Sequence, residues 1–344
     1  MLLNAIHWNV DPVMVHVGTT ALRIVGVLCI LAMVYIAYLA LRNQRNGKDK
    51  KQKKDKSTSD YLYMLFVPLA FAVICFLIKE IDLRWYSMMF LLAFVLGYWI
   101  IARMFKRENV DSQYLDSLVL YIFLAVLVGA RLGHCLFYDF DTYFNAEHWT
   151  EIFWPFEGGK FVGYQGLASH GAAVGILIAM WLYWRKYKLN AWWFLDRLVI
   201  VVALGGAFVR MGNMFNSEIY GTATTLPWGF IFEARGETVP KHPTGLYEAI
   251  SYLLIFAVSL WFYRRKNGQF PTGTIFGWWL VALFGARFLI EFVKTNGVVD
   301  GSPLLMGQWL SLPFIVGGLV IAWLARKKKF PQGPFPWGER KIEN

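Results

Sequence analysis

Phe194–Phe215 reads FLDRLVIVVALGGAFVRMGNMF. From Leu198 to Val209 it carries no charge, and as a helix rising 1.5 Å per residue the segment crosses a hydrocarbon core of ~30 Å. An open strand cannot sit at that depth, because lipid offers no water to an unpaired backbone. Asp196 and Arg197 stand at its start and read as interfacial or pairing residues. Arg210 and Asn213 stand near its other end. A charge at the bilayer centre costs ~2.5–3.5 kcal/mol on insertion scales, so an ionisable residue within a span needs a reason.

The same length criterion gives about nine candidate spans along the chain. The others are Thr20–Leu41, Tyr61–Ile78, Trp85–Ala102, Tyr114–Phe137, Gly166–Trp184, Leu246–Tyr263, Gly273–Phe292 and Gln308–Ala325. Composition agrees: the 344 residues are 57% hydrophobic and 17% charged, against about 25% charged in soluble proteins. The 16 Trp suit the amphipathic rings that collect where membrane meets water. The expected fold class is all-α, a polytopic transmembrane helical bundle.

The net charge of +11 does not indicate nucleic acid, because the cations lie in short clusters between apolar runs and form no basic surface. Clusters follow the first span (Arg42 to Lys56), the third (Arg103, Lys106, Arg107), the fifth (Arg185, Lys186, Lys188), the seventh (Arg264, Arg265, Lys266) and the ninth (Arg326 to Lys329). Such clusters mark the cytoplasmic side, which places the N-terminus outside and the C-terminus in the cytoplasm. Cys29, Cys75 and Cys135 lie in apolar segments without CxxC or metal-ligand spacing and read as packing residues. Met1 to Asn9 lacks the basic start and apolar core of a cleavable signal peptide.

The chain divides into an N-terminal segment, 1–81, a membrane core, 82–325, and a cytoplasmic tail, 326–344. The first segment holds two additional spans joined by a basic cytoplasmic linker, 42–60. Ala21-Leu22-Arg23-Ile24-Val25 is similar to Asp82-Leu83-Arg84-Trp85-Tyr86, each opening an apolar run. An inserted pair of spans preserves the orientation of everything after it, so Thr20–Ile78 reads as the dispensable part of the membrane domain.

Polar residues interrupt the spans in five places. Arg210, Asn213 and Asn216 follow one another at intervals of three, with Glu218 and Gly221 just beyond. Arg287 and Glu291 are four apart, a spacing that permits an ion pair along one helix face. His170, in Ser169-His170-Gly171, is a side-chain type suited to general base work near neutral pH. His242 and Glu248 flank the start of the seventh span, where Glu248 also suits the positive end of a helix. Arg131 sits in Gly129-Ala130-Arg131-Leu132-Gly133. With the topology above, Arg131, Arg210 and Arg287 fall late in outward-running spans, while Tyr86, His170 and Glu248 fall early in inward-running ones. All then lie near the outer face, as a site for an anionic group such as a phospholipid headgroup requires. A transporter or channel is the rival class, but it calls for polar residues through to the inner side or repeated halves with broken helices. A structural scaffold leaves the outer cations unexplained.

At these residues the chain resembles the bacterial prolipoprotein diacylglyceryl transferases. The similarity runs from about Asp82 to Ala325, with a short N-terminal piece, His7 to Pro12. Arg210, Asn213, Asn216, Glu218 and Gly221 match the family signature. Arg84-Trp85-Tyr86, the Arg131 segment, Ser169-His170-Gly171, His242-Pro243-Thr244, Leu246-Tyr247-Glu248, and Arg287 with Glu291 match in the family's order. Gly245, Ala172 and Lys294 depart from its usual residues.

The resemblance implies transfer of the sn-1,2-diacylglyceryl group of phosphatidylglycerol to the lipobox cysteine of a prolipoprotein, giving a thioether and glycerol 1-phosphate. It implies a multi-pass enzyme of the bacterial cytoplasmic (inner) membrane, with its active site toward the outer leaflet. Membrane lipids are its surroundings, and neither a cofactor nor a metal is required. His170, Arg210 and Arg287 are the expected catalytic residues. Tyr86, Arg131, Asn213, Asn216, Glu218, Gly221, His242, Glu248 and Glu291 are expected to bind substrate, with Glu218 and Glu291 holding the arginines.

Overall fold

The computed structural model describes residues 5–45, 72, 76, 81–137, 140, 156–157, 160–161, 169–294, 304–336 and 338. Nearly all of the second expected span, Tyr61–Ile78, residues 46–60 of the linker, Cys75 and most of the loop Asp139–Tyr164 lie outside the described residues.

Helices dominate the rest, as the apolar runs require. They are α1 (Thr19–Arg45), α2 (Trp85–Arg107), α3 (Ser112–Phe137), α4 (Ser169–Tyr187), α5 (Ala191–Phe215), α6 (Thr244–Arg265), α7 (Thr274–Glu291) and α8 (Met306–Arg326). Among the described residues, six of them, α2, α3, α5, α6, α7 and α8, are long and apolar enough to cross a membrane. Helix ends recur in kind. Beyond α2, α4, α6 and α8 the chain turns through a left-handed residue: Asn109, Lys188, Asn267 and Lys328, at φ 55°, 55°, 47° and 51°. The last turns of those same helices carry Lys106 and Arg107, Arg185 and Lys186, Arg264 and Arg265, and Arg326. A cation there meets the negative end of the helix dipole, so the clusters that mark topology also stabilise the helix ends.

The expectation of an all-α chain is corrected in one respect: short strands are present. β1 (Ile6–Trp8) pairs in parallel with β6 (Phe230–Phe232). β2 (Val13–Val17) pairs antiparallel with β3 (Ile81–Arg84), and β4 (Phe156–Glu157) with β5 (Lys160–Phe161). Each is too short to show a period of two in sequence.

The chain forms two compact units. One comprises residues 1–92 and 208–246, the other 93–207 and 247–343. In the first, Met214, Phe230 and Phe232 are buried, with Trp8, Tyr220 and Leu246 against them. The β2–β3 ladder there sets Val17 opposite Ile81, so the ends of the segment 18–80 are neighbours.

In the second unit, α3 packs on α4 and α7 on α8. Glycines let both pairs of backbones touch: a methyl group at Gly171 would collide with Gly129 and Gly133 of α3, and one at Gly277 with Gly318 and Ala322 of α8. Small residues serve this purpose in lipid, where helices associate by close packing. A buried polar cluster joins Glu108, Arg197, Trp193 and Tyr263. Glu108 accepts from Arg197 Nε (3.0 Å) and Nη2 (2.5 Å), from Trp193 Nε1 (2.9 Å) and from Tyr263 Oη (2.8 Å). Asp196 accepts from the main-chain N–H groups of Gly273 and Phe276, 2.7 and 2.9 Å, at the start of α7. Asp196 and Arg197 are thus pairing residues that join loops to helices.

Candidate active site

Within the first unit, α5 unwinds into the polar signature. Asn216 N donates to Gly212 O (3.1 Å), Ser217 N to Met214 O (2.9 Å) and Glu218 N to Asn213 O (2.9 Å). The chain then turns through Ser217 and Ile219, at φ 53° and 55°. Side chains continue the relay. Arg210 Nη1 reaches Asn213 Oδ1 at 3.5 Å, Asn213 Nδ2 donates to Glu218 Oε2 at 3.3 Å, and Glu218 Oε1 faces Arg235 Nη2 at 3.5 Å. The 3.5 Å contact is at the limit of a hydrogen bond, and Asn213 brings no counter-charge to Arg210.

Arg235 therefore holds Glu218, and Glu218 reaches the Arg210 guanidinium only through Asn213. The resemblance implied that Glu218 holds an arginine; toward Arg210 the structure interposes the Asn213 amide. Arg235 also donates to Ser217 O and Asn216 O at 3.3 and 3.2 Å. Arg235 lies outside every motif named from the sequence.

Tyr86 packs against α5 at Gly212, where a Cβ would lie 2.8 Å from its ring. Gly221 and His242 meet through the main chain: Gly221 N donates to His242 O at 2.8 Å, and His242 N to Thr222 O at 3.0 Å. Thr244 Oγ1 donates to Ile219 O at 2.6 Å. These bonds fix the turn after α5 against the start of α6. Tyr220 donates to Glu237 Oε1 at 2.9 Å; that hydrogen bond to a carboxylate, with partial burial, raises the phenol above its ordinary pKa. Trp8 Nε1 donates to Met214 O at 3.0 Å, so the N-terminal piece is tied to the signature helix.

The second unit holds Arg131, Glu248, Arg287 and Glu291. Glu248 is fully buried and pairs with Lys294 Nζ at 2.8 Å, and the same ammonium lies 3.5 Å from Glu291 Oε2. A Cβ on Gly307 would strike the Glu291 carboxylate, so that glycine makes room for it. The ion pair that the Arg287–Glu291 spacing permitted does not form; Lys294, three residues beyond Glu291, takes the carboxylate instead. Among the described residues the half-buried Arg287 guanidinium makes no ion pair and no hydrogen bond. Arg131 is 6% exposed on α3, two residues past the Gly129 that touches Gly171 on α4. The backbone of His170 lies in the first turn of α4; its side chain lies outside the described residues. Among the described residues no three His, Cys, Asp or Glu side chains gather as a metal set would.

The sequence model of the prolipoprotein diacylglyceryl transferase family matches residues 72–324. The chain is similar to the phosphatidylglycerol–prolipoprotein diacylglyceryl transferase of Bacteroides fragilis, 39% identical over 255 residues, covering 72% of this chain and 91% of that protein. It is 42% identical over 252 residues to the enzyme of that name from Tolumonas auensis, covering 72% and 93%. With that from Chloroherpeton thalassium it shares 37% over 275 residues, covering 79% and 97%. A match that spans the α5 signature, the Lys294 pair and every helix from α2 to α7, at such identities, means that the chain belongs to the prolipoprotein diacylglyceryl transferase family.

Proposed function

We propose that this protein transfers the diacylglyceryl group of phosphatidylglycerol to a prolipoprotein, as its relatives' names describe, with a cysteine thiol as the acceptor. The observation that carries the chemistry is Arg287. A guanidinium half-buried in an apolar helix needs a counter-charge, and the carboxylate placed to supply one is held by Lys294. An anionic ligand is then its natural partner, and the phosphodiester of phosphatidylglycerol is that anion.

In the reaction the cysteine sulfur attacks the glycerol carbon that bears the phosphodiester. A carbon–sulfur bond forms, the carbon–oxygen bond breaks, and the bonding pair leaves with the phosphate as glycerol 1-phosphate. The thiol proton passes to a base, for which His170 is our assignment, since a free thiol with pKa about 8.5 is only a few per cent thiolate at pH 7. Arg287 and Arg210 are assigned to the charge developing on the phosphate, where a planar guanidinium donates in a bidentate fashion. Asn213 sets the Arg210 guanidinium, and Glu218 with Arg235 sets Asn213. Tyr86, Arg131, His242 and Glu248 are assigned to the walls of the substrate site.

We place the protein in the bacterial inner membrane with about nine spans, N-terminus outside and C-terminus cytoplasmic. The alternation of cation clusters supports this orientation, and it puts the site at the outer leaflet. Transfer of label from phosphatidylglycerol to a lipobox peptide in proteoliposomes tests the activity. Loss of transfer in Arg287→Ala, with normal membrane insertion, is the expected result; full activity would remove Arg287 from the reaction.

A further inference from the structure

In the turn after α5, Asn216 and Ser217 are bonded through the main chain but not, among the described residues, through their side-chain oxygens. Asn216 N and Ser217 N are bonded to Gly212 O and Met214 O. Asn216 O and Ser217 O both accept from the Arg235 guanidinium. Yet Asn216 Oδ1 and Ser217 Oγ are buried, and among the described residues neither has a hydrogen-bond partner. Ser217 is 1% exposed. An unpaired buried polar group costs ~1–3 kcal/mol.

Ser217 also stands at φ 53°, where glycine would be free of the steric penalty a side chain meets. Fold stability alone would favour glycine at this position, with neither a side-chain clash nor an orphaned hydroxyl. Costs of this kind persist where a ligand offsets them. The pinned main chain means that the two side chains need little reorganisation to meet one.

We infer that Asn216 Oδ1 and Ser217 Oγ read the free hydroxyl groups of the donor lipid's glycerol headgroup, and so favour phosphatidylglycerol over phospholipids whose headgroup carries no hydrogen-bond donor. This rests on the diacylglyceryl transfer proposed above. A carboxamide oxygen only accepts hydrogen bonds, and the phosphodiester oxygens, which are anionic, only accept as well. Asn216 Oδ1 therefore cannot serve the phosphate. Within the lipid's polar end, the groups that donate are the headgroup hydroxyls. A serine hydroxyl both donates and accepts, matching a diol whose members do both. Choline offers no such donor. Ser217 thereby joins the substrate-binding residues.

The test uses the full-length protein in phosphatidylcholine vesicles holding either phosphatidylglycerol or phosphatidylpropanol, whose headgroup has no hydroxyl. Transfer to a lipobox peptide is followed for the wild type, Ser217→Ala and Ser217→Gly. The wild type should prefer phosphatidylglycerol. Both variants should lose about tenfold in kcat/KM with that lipid, the worth of one hydrogen bond, and be unchanged with phosphatidylpropanol. Ser217→Gly should unfold at no lower temperature than the wild type, which separates lost recognition from lost structure. An equal fall with both lipids would assign the hydroxyl to the phosphate or the peptide and overturn the inference. So would unchanged kinetics, or a wild type indifferent to the two headgroups. No transfer by the wild type from either lipid would overturn the proposed activity itself, and this inference with it.

Discussion

Lys294 shows how one side chain redistributes the charges around it. Its ammonium neutralises the buried Glu248 and draws Glu291 away from Arg287. Removing it breaks an ion pair to a fully buried carboxylate, a loss of ~3–5 kcal/mol for buried pairs. Lys294→Met should therefore lower thermal stability markedly, while Lys294→Arg restores it; equal melting temperatures for all three proteins would dismiss the pair. The Arg287 and Glu291 positions were legible because charges are rare in apolar runs. Their pairing was not, because Glu291 has neighbours at both i−4 and i+3 and sequence does not say which wins. Arg235 was illegible for another reason. It sits in a loop outside every sequence motif, and only the fold brings it to the carbonyls after α5.

At the scale of elements, the β2–β3 ladder brings Val17 beside Ile81, and the family match begins only at residue 72. We propose that Thr20–Ile78, of which the family match takes in only 72–78, is an insertion between two strands that already meet. Replacing residues 18–80 with a two-residue Asn-Gly hairpin turn should leave the protein inserted and active; loss of transfer with normal insertion would make the segment part of the machinery. The α3–α4 contact gives a second expectation. Gly171→Leu places a side chain against the Gly129 and Gly133 backbone, so it should destabilise the fold or abolish activity, whereas Gly285→Ala, with open space around it, should do neither. Six of the expected membrane helices were legible from apolar length. The strands were not: three-residue β1 finds its partner β6 beyond residue 229, and no local pattern announces so distant a pairing. Of the left-handed residues after four helices, Asn109 and Asn267 are of a type that favours that conformation, whereas Lys188 and Lys328 give no such signal.

For the whole molecule, the proposed orientation rests on the cations that close α2, α4, α6 and α8. An alkaline phosphatase fused after residue 330 should be inactive in cells and one fused within the 220–240 loop active; the reverse would invert the topology. The central claim remains that a guanidinium on α7, without an ion pair among the described residues, meets the phosphate of the donor lipid. It is tested most directly by single-turnover transfer from radiolabelled phosphatidylglycerol to a lipobox peptide in proteoliposomes, comparing the wild type with Arg287→Ala and Arg287→Lys. The account predicts that the alanine variant loses at least a hundredfold in rate, as for removal of a charge-stabilising donor. Lysine, a point charge without the fork, should recover only part of it. Equal rates for the three proteins would contradict the account.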